Sequence, residues 1–421
     1  MFSIVKEWLR KIRFWGLSGV WNFLLGRAKA SRIRRFYLKN ERNNPIPTPE
    51  PGITIVAPLQ DKSSLGKAMR DLVFCIHEAG IPFQALSTSD KSQLASKEIE
   101  PLLTPKCDFL IRKHPLAFEL FAGQIPSEIP IRRAHVVFWE FESGLLAAFP
   151  ALRSVDTVIA MSDFNAAYFR RILPPTVKVA KLLYPFRFSP PTLPPPAQTR
   201  SRFGIDNNDF AVFFNFDYAS SVFRKNPDGS MRAFAKAFRD TPDAKLVFKT
   251  NRANGFPKAH AALRDLADNL GIADRFISID EYLPREDIYA ITAACDVYLS
   301  LHRGEGLGLG IAEAMSLGKP AIVTDYGGST EFCTQETAFL VPYAKRALRH
   351  GQMDNPCYHD VDLCAEPDIN AAAKTMRMCY ESRENCIDMG LRAKHFMESH
   401  FSHERFRESI AALMEGFSTD G

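Results

Sequence analysis

Ser300-Leu301-His302-Arg303-Gly304-Glu305-Gly306-Leu307-Gly308-Leu309-Gly310-Ile311-Ala312-Glu313-Ala314-Met315-Ser316-Leu317-Gly318-Lys319-Pro320 reads as strand, glycine-rich loop, helix, glycine stop and the start of another strand. Gly304, Gly306, Gly308 and Gly310 let the backbone come close to a ligand with its N–H groups aimed at it. A helix starting at that loop adds the positive end of its dipole, so a phosphate is the natural guest. A glycine run alone predicts no more than a tight turn. Here Glu305 and Glu313 sit eight positions apart, beside Arg303. Each carboxylate can accept two hydrogen bonds and so can grip the vicinal diol of a ribose or a hexose.

Outward from this stretch the pattern is strand after helix after strand. On the C-terminal side Ala321–Thr324 reads as a strand. On the N-terminal side, Phe210–Phe214, Ala244–Lys249, Phe276–Ile279 and Val297–Leu301 read as strands, with helices over 228–239 and 258–270. An earlier series begins at Ile53–Ala57 and continues with a helix from Gly66 to about Ala79. Strands are expected at Pro82–Leu86, His135–Trp139 and Thr157–Met161, and a helix capped by Ser162-Asp163 follows the last of these. Alternation of this kind predicts two mostly parallel α/β sheets with ligands at their carboxyl ends. The expected organisation is a head and linker over 1–51, a first domain over 52–188 and a Pro-rich spacer over 189–199. A second domain follows over 200–390, then a C-terminal helix over 391–421. The stretch 354–369 reads as a loop.

Composition sets the outer bounds. The chain has 421 residues, 46% hydrophobic and 24% charged, which suits two globular domains. Its net charge is +5, but residues 1–43 hold eleven Lys/Arg against Glu7 and Glu41. That head is +9, leaving −4 for the remainder. Basic residues among Trp8, Trp15 and Trp21 suit a helix on an anionic membrane surface; packing against the protein itself is the alternative. No nucleic-acid recognition motif accompanies the charge. No apolar run reaches the roughly 18–20 residues needed to cross a bilayer, and no secretory cleavage pattern is present. The eight cysteines include no CxxC pair, which points to reduced thiols in a cytoplasmic protein and predicts no metal cluster.

Glu305-x7-Glu313, within EGLGLGIAEAMSLGKPAIVTDYGG, resembles the signature of the retaining glycosyltransferase family four, which has the GT-B fold. Gly327-Gly328-Ser329-Thr330-Glu331 resembles the Gly-Gly-x-x-Glu that follows in that family. Arg224-Lys225-Asn226-Pro227 resembles its diphosphate-binding basic pair. The likeness covers roughly residues 52–415 and is strongest over 205–345. It implies two Rossmann-like doubly wound domains facing a central cleft, with the C-terminal helix crossing back to the first. It also implies transfer of a hexose from a nucleoside-diphosphate sugar to a glycan or glycolipid hydroxyl, with retention.

In that reading Arg224, Lys225 and Glu305 are catalytic, and Glu313 holds the ribose. Arg303, Gly306, Leu307, Gly308, Leu309, Lys249, Glu281 and Tyr282 line the donor site, and Gly66 and Glu140 serve the acceptor or diphosphate side. No metal or other cofactor is required beyond the nucleotide sugar. The expected place is cytoplasmic, at the inner face of a membrane if the head binds lipid. The rival readings are an epimerase or phosphorylase on the same scaffold, which would need no acceptor, and a nucleotide-sugar-binding adaptor, which would show no turnover.

Overall fold

The computed structural model describes residues 50–418 apart from 62, 89–96, 106–108, 110–112, 121–124, 126–128, 130, 188–191, 351 and 354. The basic head expected to meet a membrane lies outside the described residues. The described chain divides into two compact units, one within residues 50–138, 145–187 and 401–418, the other within 139–144 and 192–400.

The first unit carries β1 (Ile53–Ala57), α1 (Ser64–Glu78), β2 (Phe83–Ser87), β3 (Leu116–Leu120), β4 (Arg132–Val137), α2 (Leu145–Ala148), β5 (Thr157–Ala160), α3 (Asp163–Ile172) and β6 (Lys178–Lys181). All strand pairs are parallel, in the order β2-β1-β3-β4-β5-β6. β1 is buried along its whole length, as its unbroken apolar and β-branched run requires of a strand covered on both faces. Ser63 Oγ caps α1 by accepting from Gly66 N, and Ser162 Oγ caps α3 by accepting from Asn165 N.

The second unit opens with α4 (Pro196–Arg202), so the end of the Pro-rich spacer is helical instead of extended. Proline tolerates the first helical turn, where its missing N–H would have had no partner. Then come β7 (Phe210–Asp217), α5 (Val222–Lys225), α6 (Pro227–Ala237), β8 (Ala244–Asn251), α7 (Pro257–Asn269), β9 (Phe276–Ile279), α8 (Arg285–Ala294) and β10 (Val297–Ser300). They are followed by α9 (Leu309–Ser316), β11 (Ala321–Thr324), β12 (Phe339–Val341), β13 (Tyr343–Ala347), β14 (Leu363–Pro367), α10 (Ile369–Glu381) and α11 (Arg383–His400). The six-stranded sheet is again all parallel, ordered β12-β11-β10-β7-β8-β9. Strand order reverses between β7 and β10, the place where doubly wound sheets open a crevice. Phe214, Phe216 and Phe248 interlock on one face of this sheet, their ring centroids 5.1–6.2 Å apart.

Two expectations are corrected. The 354–369 stretch contains β14, which pairs antiparallel with β13 from Tyr343↔Pro367 to Ala347↔Leu363. The long C-terminal helical pattern breaks at Phe401-Ser402 into α11 and α12 (His403–Ser418). α12 belongs to the first unit, as a helix crossing back requires. Leu183 N donates to Ser409 Oγ at 3.0 Å, and Lys178 Nζ to the Gly416 carbonyl at 2.9 Å.

Candidate active site

The loops after β7 and β10, which flank the reversal of strand order, carry the residues singled out by motif. The β7 loop holds a tight basic turn. Ser221 has φ 74° and its hydroxyl accepts from Arg224 N at 3.2 Å; Asn226 has φ 55° and accepts from Gly229 N at 3.1 Å. Positive φ at two non-glycine residues is costly and survives where the surroundings enforce it. Here the enforcement is visible: Asn226 Nδ2 donates to the Leu301 carbonyl at 2.7 Å, Arg303 N to the Arg224 carbonyl at 2.8 Å, and Arg224 Nη1 to the Gly304 carbonyl at 2.9 Å. The basic turn and the glycine loop are stitched into one body.

Within it Lys225 Nζ lies 2.6 Å from Glu305 Oε2 and Arg224 Nη1 lies 3.5 Å from the same oxygen. Burial pushes the Glu305 carboxyl up, but the charges of Lys225 and Arg224 outweigh it and hold Glu305 well below the usual carboxylate range. Arg224 Nη2 is also 3.8 Å from Glu140 Oε1. Glu140 comes from the 139–144 segment, which packs in this unit against the glycine loop. A Cβ on Gly304 would stand 2.4 Å from the Phe141 ring. Behind the loop, Gly328 N donates to the Glu305 carbonyl at 2.7 Å, and a Cβ on Gly328 would fall 1.8 Å from the Gly306 carbonyl oxygen. The Gly327-Gly328 pair therefore exists to let one backbone lie against the other.

α9 starts at Gly308 (φ 91°) with no side-chain cap, so the amides of its first turn are open to an anion. Glu313, on the next turn, pairs with the Arg285 guanidinium, which also lies over the Tyr289 ring at 4.9 Å. Gly310 admits the Tyr298 hydroxyl, itself donating to Asn215 Oδ1 at 2.9 Å. Lys249 is buried at the end of β8 and donates to the Thr250 carbonyl; burial pulls its ammonium down to about 8. Glu281 and Tyr282 follow β9 in the exposed loop, Tyr282 at 64%. Leu307 is buried in the glycine loop, and Leu309 opens α9.

Arg303, expected to line the donor site, is held by partners within the protein. Its guanidinium is bidentate on Glu366 of β14 (2.9–3.2 Å), donates to the Phe223 carbonyl at 3.0 Å and stacks on the Phe223 ring. It anchors the β13–β14 hairpin. His302 is fully buried, its Nε2 2.8 Å from the Tyr326 carbonyl and its Nδ1 3.1 Å from Ser300 Oγ. Burial lowers its pKa to about 4, so it stands as a neutral structural imidazole. Gly66 belongs to the first unit, where a Cβ would meet the Asp61 carbonyl at 2.4 Å; its own N–H goes to the cap of α1.

Sequence reasoning missed Arg285 and Tyr358. Arg285 opens a helix 28 positions from its partner Glu313. Tyr358 sits on the 3-10 turn Pro356–Tyr358, buried between Trp139 and Phe141 with ring centroids at 5.5 and 5.3 Å. Its hydroxyl hydrogen-bonds Glu140. Among the described residues, Cys75, Glu78 and His403 of the first unit bring potential metal ligands within 4.8 Å of one another. Glu78 already lies 3.0 Å from His403 Nδ1 and pairs with Arg187 at 3.4 Å, so its carboxylate is engaged within the protein.

Residues 204–349 match the family described as glycosyl transferases group 1. Among curated proteins, the chain is 28% identical over 194 residues to the lipopolysaccharide core biosynthesis mannosyltransferase LpsB of Rhizobium meliloti, covering 45% of this chain and 52% of that protein. It is 26% identical over 260 residues to the GDP-mannose-dependent alpha-(1-6)-phosphatidylinositol monomannoside mannosyltransferase of Mycolicibacterium smegmatis, covering 55% and 64%. The chain thus spans less than two thirds of the length of these relatives. Among solved structures, the Anabaena protein Alr3699/HepE in complex with UDP and glucose superposes with a TM-score of 0.61 at 14% identity, over 87% of this chain and 100% of that one. A glycosyltransferase from Rickettsia africae superposes with a TM-score of 0.63 at 12% identity, over 88% and 100%. The two all-parallel six-stranded sheets are those of the GT-B fold, and residues 204–349, the stretch that holds the basic turn and the glycine loop, are similar to the glycosyl transferases group 1.

Proposed function

We propose that this protein transfers a hexose from a nucleoside-diphosphate sugar to a hydroxyl of a glycan or glycolipid, with retention of configuration. The observation that carries the reading is the Arg224–Lys225–Glu305 cluster at the reversal of strand order between β7 and β10. In the free protein Glu305 supplies the negative charge that these cations hold. A donor diphosphate would take that role, releasing Glu305 toward the transferred sugar. Arg224 and Lys225 would then stabilise charge growing on the leaving phosphate, the largest contribution in such a transition state.

Glu313, freed from Arg285, would hold the ribose. Gly306, Leu307, Gly308 and Leu309 would cover the diphosphate with backbone N–H groups. Lys249, Glu281 and Tyr282 would face the base, and Glu140 the diphosphate or acceptor side. The leaving diphosphate would help deprotonate the acceptor hydroxyl on the same face, with no metal. Relatives named for lipopolysaccharide and phosphatidylinositol mannoside synthesis favour a glycan or glycolipid acceptor. No described helix is long and apolar enough to cross a membrane, which leaves the basic head as the candidate for peripheral contact at the cytoplasmic surface.

A thermal-shift panel of UDP-, GDP- and ADP-sugars identifies the donor, and transfer to extracted glycolipid then tests turnover. Lys225→Ala is expected to lower turnover by roughly 10²–10³. Glu313→Ala is expected to weaken donor binding. Normal transfer by both variants would refute the site. Deleting residues 1–43 should reduce binding to anionic vesicles while sparing donor binding; unchanged vesicle association would remove the membrane role.

A further inference from the structure

Two cations and two carboxylates meet at the glycine loop, and they are not shared evenly. Lys225 and Arg224 both make their closest carboxylate contact with Glu305, at 2.6 and 3.5 Å. Glu140 stands farther off, 3.8 Å from Arg224, and takes a hydrogen bond from the Tyr358 hydroxyl. Its Cγ lies 3.6 Å from where a Cβ on Gly306 would be, so it lines the loop that would cover a diphosphate. Burial lifts the Glu140 carboxyl above the usual range against the pull of Arg224, and the charge of Glu305 adds to the lift. The surroundings push the two acids in opposite directions: both cations hold Glu305 as an anion, while Glu140, at the margin of one of them, is the acid more readily protonated.

We propose that Glu140 enters the donor complex as a neutral acid, giving its carboxyl proton as a hydrogen bond to the donor diphosphate, with Tyr358 positioning it. This rests on the donor-site reading above. A diphosphate placed on Arg224 and Lys225 adds negative charge beside Glu140, so any molecule in which Glu140 is ionised takes up one proton from solvent on binding. No covalent bond changes in this step. The charged and titratable groups facing Glu140 are Arg224 and Lys225 from α5, Glu305 from the loop after β10 and Tyr358 from the turn before β14. His302, behind Glu305, stays neutral above about pH 4, and Lys249, at about 8, sets the upper limit of a clean measurement.

The test is titration calorimetry of the full chain with UDP-glucose and GDP-mannose. Their diphosphates are esterified at both ends and lack the ionisation near pH ~6 of a terminal phosphate. The donor that binds is expected to show a Kd that rises with pH, approaching about tenfold per pH unit above the Glu140 midpoint, with proton uptake read from the dependence of the heat on buffer. Glu140→Gln, a permanent neutral donor, should flatten that profile and abolish the uptake. Tyr358→Phe removes a hydrogen bond that favours the ionised form, so the midpoint should move to higher pH. Proton release, or an equal pH slope in Glu140→Gln, would overturn the inference alone. No heat from the wild-type chain with either compound, or with an ADP-sugar, at any pH would overturn the donor site and this inference with it.

Discussion

Gly306 and Gly328 lie backbone against backbone, yet they answer to different constraints. A Cβ on Gly328 would sit 1.8 Å from the Gly306 carbonyl, so Gly328→Ala must push two loops apart. The expected cost is about 1–3 kcal/mol, read as a lower melting temperature and a lower urea midpoint. A Cβ on Gly306 would meet nothing closer than Trp139 N at 3.4 Å, so the protein without donor can accept it. Gly306→Ala should therefore melt close to the wild type while losing roughly tenfold in donor affinity if, as proposed, the loop backbone covers the diphosphate closely. A variant that melts normally and binds donor normally would show that the glycine serves no ligand. A large loss of stability would show that the loop is packed more tightly than its contacts imply.

At the scale of elements, the basic turn is held by Asn226, which caps α6 from a left-handed conformation and ties it to the Leu301 carbonyl. Asn226→Ala loses the cap, the tie and the tolerance for φ 55°, at an expected cost of about 1–2 kcal/mol or more. Asn226→Gly restores the backbone freedom alone and should lose less; equal losses in urea unfolding would assign the whole effect to the side chain. The elements show what could be read in advance. The glycine loop and its flanking strands were legible, because the whole pattern is local there. β3 was not: Leu116–Leu120 places Glu119 inside the sheet, where it meets His135 at 3.2 Å, and a buried acid disguises a strand. β6 reads Lys-Val-Ala-Lys at a sheet edge and carries too little apolar signal. β13 is short and basic, β14 ends in Glu366-Pro367, and their anchor, Arg303 on Glu366, joins residues 63 positions apart. The pairing of Arg303 with Glu366 could not be read from its neighbours in sequence, because the fold alone brings the two together.

For the whole molecule, acid stability should bear the mark of His302. Its folded pKa of about 4 lies below the ordinary 6.5, so the unfolded chain binds more protons between these values and stability falls as pH drops through that window. The full loss is about 3 kcal/mol. Glu305, held ionised in the fold, adds a loss in the same direction only below about pH 4.3, where the unfolded carboxyl titrates. Glu140, raised in the fold, works oppositely, favouring the folded state as pH falls. His302→Gln should flatten the decline of the urea midpoint between about pH 6.5 and 4.5, while an unchanged slope would mean that other groups carry it. The chain has four tryptophans, three of them in the first 21 residues. The fourth, Trp139, is 2% exposed, with its indole N–H on the Ser143 carbonyl and its ring against Tyr358. A protein lacking the head thus keeps a single indole fluorophore, one residue from Glu140. Its emission offers an optical signal, without any label, of what happens in the glycine loop.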